Sequence, residues 1–124
     1  MSSVVNHWIN GAEYVSKSGR TFPVYDPALG VETKKVALAN QEEIALAIKA
    51  ARDAFPAWRD TSLAKRQQII FSFRELLNAR KGELAEIITS EHGKVLSDAL
   101  GEITRGQEVV EFAAGIPHLL KGYY

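Results

Sequence analysis

The sequence predicts an α/β chain in which short strands come first and three or four helices follow. Two observations support this order. Asn10-Gly11 lies between two short apolar stretches, which is typical of a β-hairpin. From residue 41 onwards, apolar residues recur at three- and four-residue steps, which is typical of amphipathic helices. We find no internal repeat, no low-complexity segment and no linker that would divide the chain into two domains.

The strands are predicted within residues 7–38. The hairpin covers residues 7–15, since Asn-Gly supplies the two positive φ angles of a two-residue turn. Residues 21–25 are expected to be extended and to lead into a turn from Asp26-Pro27 to Gly30. Residues 32–38 are the last predicted strand.

The helices are predicted at about 41–55, 62–92 and 95–114. Asn40 is expected to cap the first, and Glu43 three residues later completes an approximate capping box. Pro56 is expected to end this helix, because the residue before a proline avoids the helical region. Thr61 or Ser62 is expected to cap the second.

Two glycine-containing segments divide the helical part of the sequence. Arg80-Lys81-Gly82 predicts a break or kink inside the second helix. Gly93 suits the left-handed conformation that often follows a helix, so the second helix should end there. Gly115 and Pro117 are expected to interrupt the third helix. The residues of that helix predicted to share a buried face are Leu96, Ala99, Leu100, Ile103, Val110 and Ala113.

Composition excludes several classes of function. The chain has 15 basic and 15 acidic residues, so no net charge favours binding to nucleic acid or an anionic membrane. It has no cysteine, which excludes disulfides, thiolate metal sites and a cysteine nucleophile within these residues. No apolar stretch approaches the ~18 residues of a membrane span, and no signal peptide is evident. The cytoplasm is the expected location.

The common catalytic and phosphate-binding motifs are absent. Neither a G-x-x-x-x-G-K-[ST] loop nor a G-x-G-x-x-G sequence occurs. His7, His92 and His118 are far apart in sequence, so no metal site is predicted. Residues 91–94, E-H-G-K, combine several chemically active side chains, but we interpret them as a helix end.

Arg105 is the candidate functional residue, with Gly101 four residues before it and Gly106 directly after it. Two interpretations remain open. Arg105 could pair with Glu102 and Glu108 on a solvated helix face. Alternatively, its guanidinium could point into a cavity and bind a carboxylate through two parallel hydrogen bonds. The periodicity alone favours the first.

Several motifs resemble the N-terminal region of the aldehyde dehydrogenase superfamily. W-I-N-G in the hairpin, Y-D-P-A-L-G-V in the turn and E-H-G-K are shared widely in that superfamily. A more specific stretch, D-A-L-G-E-I-T-R-G-Q-E-V-V-E-F-A at 98–113, is followed by I-P-H-L-L-K-G. It resembles the CoA-acylating methylmalonate-semialdehyde dehydrogenases. The resemblance runs from about residue 7 to residue 122.

This resemblance implies an NAD-dependent oxidation of methylmalonate or malonate semialdehyde. A catalytic cysteine forms a thiohemiacetal, hydride passes to NAD, and the acyl group moves to coenzyme A. The products are propionyl-CoA or acetyl-CoA and bicarbonate. In this family the arginine of the R-G motif binds the substrate carboxylate, and it matches Arg105. Gly101 would then leave space over the guanidinium.

The resemblance also implies what this chain lacks. In the family, the nucleophilic cysteine, the general-base glutamate, the oxyanion-hole asparagine and the glycines around NAD lie beyond the position of Tyr124. We therefore expect the chain to be the N-terminal part of an NAD-binding domain, with an incomplete Rossmann-like sheet and no catalytic domain. We expect it to be inactive alone and to bind neither NAD nor coenzyme A. The complete enzyme is expected to be a dimer or tetramer of identical subunits. A non-acylating aldehyde dehydrogenase fragment and a non-enzymatic helical module remain alternatives.

Overall fold

A computed structural model describes residues 3–120 and 122. The chain divides into two compact units, Met1–Asp60 and Thr61–Tyr124. The sequence shows no linker here, and only two residues separate the helix that ends the first unit from the helix that begins the second. Of the elements in residues 3–120 and 122, all the strands lie in the first unit and the second has helices alone.

The predicted hairpin is confirmed in the first unit. Strands β2 (His7–Ile9) and β3 (Ala12–Tyr14) pair antiparallel around Asn10 and Gly11. These two turn residues have φ angles of 54° and 77°, as a type I′ turn requires.

A three-stranded sheet accounts for the other strands of this unit. It has the order β1 (Ser3–Val5), β5 (Val31–Ala37) and β4 (Thr21–Asp26). The pair β4–β5 is antiparallel, whereas β1, which the sequence did not predict, pairs parallel to β5. Pro23 is tolerated in β4 because this strand lies at the sheet edge. The turn between β4 and β5 is confirmed: the Asp26 carboxylate accepts a 2.8 Å hydrogen bond from the Ala28 amide.

Helix α1 (Gln41–Asp60) closes the first unit and corrects the prediction that Pro56 ends the helix at 55. Proline removes one amide donor and its ring crowds the carbonyl four residues earlier, but the residues after it can still bond to the preceding turn. The preference against helix before a proline is statistical, and here it is overridden. Helix α1 therefore continues for four residues after Pro56.

The second unit contains helices α2 (Leu63–Ala79), α3 (Lys81–His92), α4 (Leu96–Ala113) and the short α5 (Ile116–Leu119). The predicted break at Arg80 is confirmed, because this one residue separates α2 from α3. Gly93 has a φ of 82° and ends α3, as its sequence context predicts. The observed bounds lie within one residue of 62–92 and 95–114.

Helix α4 packs against α2 and α3. Ala85 of α3 and Ala99 of α4 are both fully buried, and small side chains at such positions let two helices approach closely. The predicted buried face of α4 is confirmed at Ala99. The other members of this face are partly buried, with the exception of Leu96. Leu96 is 45% exposed because it is the first residue of the helix and has no preceding turn to cover it.

Large apolar side chains remain exposed in both units. Among the described residues, the buried apolar positions are all alanines: Ala37, Ala85, Ala99 and Ala114. Trp8 is 75% exposed, and Phe112 is 71% exposed. Such faces are typical of surfaces that further protein covers.

Candidate functional site

Arg105 lies in the middle of α4 with its side chain exposed to solvent. Helix α4 begins directly after the Gly93 turn, with Val95 in an extended conformation at its N-cap. Because residues three and four apart lie on the same side of a helix, Gly101, Glu102, Glu108 and Val109 flank Arg105. Arg105 is exposed whereas Ala99 is fully buried, so the two residues lie on different sides of α4.

Glu102 pairs with Lys94 rather than with Arg105. Lys94 follows the Gly93 turn, and its ammonium donates to the Glu102 carboxylate. This hydrogen bond is the main reason that the pKa of Glu102 lies below its ordinary value, and the charges of Lys94, His92 and Arg105 lower it further. Within residues 3–120 and 122, neither Glu102 nor Glu108 forms an ion pair with Arg105. The solvated intrahelical ion pair is therefore not observed.

The space near Arg105 is partly occupied by its own side chain. A Cβ atom added to Gly101 would lie 3.7 Å from Nη1 of Arg105, which is an ordinary van der Waals distance. An added Cβ at Gly106 would meet nothing within 4 Å. An alanine at 101 would thus touch the guanidinium without displacing it.

Two large apolar side chains lie on the solvent side of α4 beyond Arg105, next to the exposed Glu108. Val109 and Phe112 follow it on successive turns and are 68% and 71% exposed. Arg105 lines none of the five best-defined cavities among the described residues. Any pocket around its guanidinium would need walls from further protein.

The E-H-G-K segment forms a helix end, as interpreted from the sequence. The Gly93 amide donates to the Thr89 carbonyl at 2.8 Å, which closes the last turn of α3. His7, His92 and His118 lie on three different elements. In the part of the chain that the structure describes, no group of three potential metal ligands comes together.

A buried carboxylate in the first unit is the polar site that sequence reasoning did not assign. Glu43 is 3% exposed and accepts hydrogen bonds from the Ser16 hydroxyl and from the Lys17 amide, the latter at 2.7 Å. Nε2 of His7 lies 3.8 Å from this carboxylate and has no hydrogen-bond partner among the described residues. The capping-box spacing of Asn40 and Glu43 was the part of this site visible in the sequence. It did not show that the loop after the hairpin folds over the start of α1.

Glu43 also bears on cofactor binding. The first turn of α1 is occupied by its own carboxylate and by the side chain of Asn40, which accepts from the Glu43 amide at 2.9 Å. A phosphate at this helix start would meet a negative charge instead of free amide groups. The start of α1 therefore does not fit the phosphates of a dinucleotide.

Comparison with known proteins decides the family. Residues 14–124 match the sequence profile of the aldehyde dehydrogenase family. The chain belongs to the aldehyde dehydrogenase family. Its mixed strands and helices match the N-terminal part of aldehyde dehydrogenase structures.

Specific relatives of this aldehyde dehydrogenase segment act on semialdehydes. It is 46% identical over 120 residues to the malonate-semialdehyde dehydrogenase of Pseudomonas aeruginosa, covering 97% of this chain and 24% of that enzyme. It is 41% identical over 122 residues to a Dictyostelium discoideum mitochondrial protein described as probable methylmalonate-semialdehyde/malonate-semialdehyde dehydrogenase [acylating], covering 98% and 23%. The resemblance found in the sequence is confirmed.

A solved aldehyde dehydrogenase structure has the same fold over this segment. It comes from Sinorhizobium meliloti, is described as a putative methylmalonate-semialdehyde dehydrogenase and contains NAD. The TM-score is 0.94 and the identity 41%, over 99% of this chain and 25% of that one. The chain thus spans about a quarter of the length of the relatives it matches. No helix among the described residues is both long and apolar enough to cross a bilayer.

Proposed function

We propose that this chain is the N-terminal segment of an NAD-dependent, CoA-acylating methylmalonate- or malonate-semialdehyde dehydrogenase, and that Arg105 binds the substrate carboxylate. The overall reaction converts the semialdehyde, coenzyme A, NAD⁺ and water into propionyl-CoA or acetyl-CoA, bicarbonate, NADH and a proton. The chain lacks cysteine, so its contribution is to substrate binding and not to the covalent step. The cysteine and the NAD-binding residues would come from the rest of such an enzyme.

The availability of Arg105 is the observation that carries this proposal. Its neighbour Glu102 is held by Lys94, which leaves the planar guanidinium unpaired on α4 within the described residues. An unpaired guanidinium can accept a carboxylate through two parallel hydrogen bonds. Malonate and methylmalonate semialdehydes each carry one such group beside the aldehyde.

A chimeric enzyme tests this role. Residues 1–122 of this chain would replace the matching quarter of the Pseudomonas aeruginosa enzyme, and the chimera would be compared with its Arg105→Lys variant. Lysine keeps the charge but loses the planar pair of donors. We expect KM for malonate semialdehyde to rise by at least about tenfold, since charge-assisted hydrogen bonds are the strong ones. KM for propanal, which has no carboxylate, should change less than about twofold.

The control is Arg52→Lys, a change of the same kind at an exposed position on α1. It should leave both KM values unaltered. An equal rise of KM for both aldehydes in the Arg105 variant would contradict a carboxylate-binding role for Arg105.

The two alternatives predict different behaviour. A non-acylating enzyme would release a free acid. Whether a complete protein carrying this segment depends on coenzyme A therefore distinguishes such an enzyme from the proposed acylating one. An independent helical module would be monomeric in solution by itself, whereas a segment of a larger fold would associate through its exposed apolar faces. The exposed apolar faces, including Trp8 and Phe112, favour a segment of a larger fold over such a module.

A further inference from the structure

We propose that Lys94 is a positioning residue for Arg105: by holding the Glu102 carboxylate, it keeps the guanidinium free for a substrate carboxylate. This inference rests on the proposed function of Arg105 and adds a second residue to it. Lys94 itself would not touch the substrate.

Helix geometry gives Glu102 a default partner. Glu102 and Arg105 are three residues apart on α4, a spacing at which opposite charges meet across one turn. A pair at this spacing forms at the start of another helix: Arg80, directly before α3, and Glu83 in its first turn join at 2.6 Å. Arg105 is therefore within reach of Glu102 along α4, and its charge already lowers the pKa of Glu102.

Lys94 is the competing cation, and the backbone fixes its place. The left-handed Gly93, with φ of 82°, ends α3, and Val95 two residues later is the N-cap of α4. Lys94 lies just before the start of α4, and its ammonium group binds the Glu102 carboxylate about two helical turns further along the chain. Its side chain is 18% exposed and that of Glu102 40% exposed, so this pair is better shielded than a pair on the open surface.

The charges around Glu102 support a competition between cations. Lys94, His92 and Arg105 each favour its ionised form, and the Lys94 hydrogen bond is the largest effect. With Lys94 removed, Arg105 would be the permanent cation left within reach. The Glu102 carboxylate would then turn to Arg105 and occupy the donors that a substrate carboxylate needs.

Kinetics of the chimera described above test this competition. Lys94→Met should raise KM for malonate semialdehyde about three- to fivefold, since a partly exposed ion pair has to be broken before substrate binds. KM for propanal should stay the same. Adding Glu102→Gln to Lys94→Met should restore the original KM, because the competing carboxylate is gone. Lys94→Arg should retain the pair and change little.

Lys49→Met is the matched control, because Lys49 forms an exposed ion pair with Asp53 on α1. It should not affect KM for either aldehyde. If Lys94 served only to stabilise the fold, Glu102→Gln would not rescue Lys94→Met, and both aldehydes would be affected. Either of these results would overturn the inference.

The outcomes also separate the inference from the proposed function. Should Arg105→Lys affect both aldehydes equally, the proposed function fails and the inference fails with it. Should Arg105→Lys act selectively while Lys94→Met has no effect, only the role of Lys94 is refuted.

A titration of the 124-residue chain gives a readout that needs no activity. In carbon-13 NMR, Lys94→Met should raise the pKa of Glu102. Arg105→Met should raise it further in the Lys94→Met background but much less in the original sequence. Equal effects of Arg105→Met in both backgrounds would show that Glu102 does not exchange partners, against the proposal.

Discussion

Asn40 and Glu43 cap the start of helix α1 reciprocally. The Asn40 side chain accepts from the Glu43 amide at 2.9 Å, and the Glu43 carboxylate accepts from the Asn40 amide, also at 2.9 Å. The same carboxylate binds the Ser16 hydroxyl and the Lys17 amide. One side chain therefore both begins the helix and ties it to the loop after the hairpin.

Replacing Glu43 with glutamine should destabilise the first unit. Glutamine keeps the size of the side chain, but its one carbonyl oxygen cannot accept from all three donors. Its NH₂ group takes the place of one oxygen and therefore faces either the Lys17 amide or the Asn40 amide, which then loses its acceptor. We expect the melting temperature to fall by more than about 5 °C. Both tryptophans, Trp8 and Trp58, lie in this unit, so tryptophan fluorescence during heating reports on it.

Glu42→Gln is the control for this change. Glu42 precedes Glu43 on the same helix turn and is exposed. It should alter the melting temperature little. If the two variants melted alike, the buried hydrogen bonds of Glu43 would not be stabilising.

The pH dependence of stability should follow from the same carboxylate. Hydrogen bonds from the backbone amides of Asn40 and Lys17 and from Ser16 lower the pKa of Glu43 from its ordinary 4.5. A lowered pKa in the folded state means that the stabilisation is complete above pH 4.5 and is lost as the pH falls further. The melting temperature should therefore drop in acid, and Glu43→Gln should make this drop shallower. An unchanged acid slope in the variant would contradict the argument.

Local sequence signals predicted the elements that depend on neighbouring residues. The Asn10-Gly11 turn, the Asn40–Glu43 cap and the Gly93 helix end were all predicted from residues a few positions apart, and all three are observed. The predicted end of α1 was wrong because it depends on more than the neighbouring residues. A proline weakens a helix locally, but the continuation past Pro56 depends on the rest of the helix.

Longer-range pairings could not be predicted. Strand β1 pairs with β5 about thirty residues away, and three residues carry too little pattern to show it. The Lys94–Glu102 pair was also missed. Helix periodicity indicates only which residues of one helix lie side by side, and Lys94 lies before α4 begins. Arg105 was found from its family resemblance, whereas its lack of an intrahelical partner became visible only in the structure.

Gly93→Ala should destabilise the second unit. Gly93 has a φ of 82°, a conformation that costs a residue with a Cβ about 1–2 kcal/mol. Gly106→Ala is the matched control, because Gly106 lies inside α4 and an added Cβ there would meet nothing within 4 Å. That variant should gain roughly 0.5–1 kcal/mol, as alanine favours helix over glycine. Urea unfolding followed by circular dichroism measures both, and changes of the same sign would contradict the assignment of Gly93.

Gln67 should stabilise the end of α4 through a single hydrogen bond. Its Nε2 donates to the Ala114 carbonyl at 2.7 Å, and Ala114 is 5% exposed. The last carbonyls of a helix have no amide within the helix to bond, so Gln67 supplies a donor from α2. Gln67→Met keeps the length of the side chain and removes the donor. We expect the free energy of unfolding to fall by about 1 kcal/mol, since a largely buried acceptor loses its partner.

Gln68→Met separates this hydrogen bond from any general effect of methionine on α2. Gln68 is the next residue on the same helix and is exposed, so its replacement should change stability by less than about 0.5 kcal/mol. Hydrogen exchange locates the effect, because the Gln67 variant should open the amides at the end of α4 first. Protection lost equally in both variants, or lost only within α2, would mean that the Gln67–Ala114 bond does not hold the end of α4 in place.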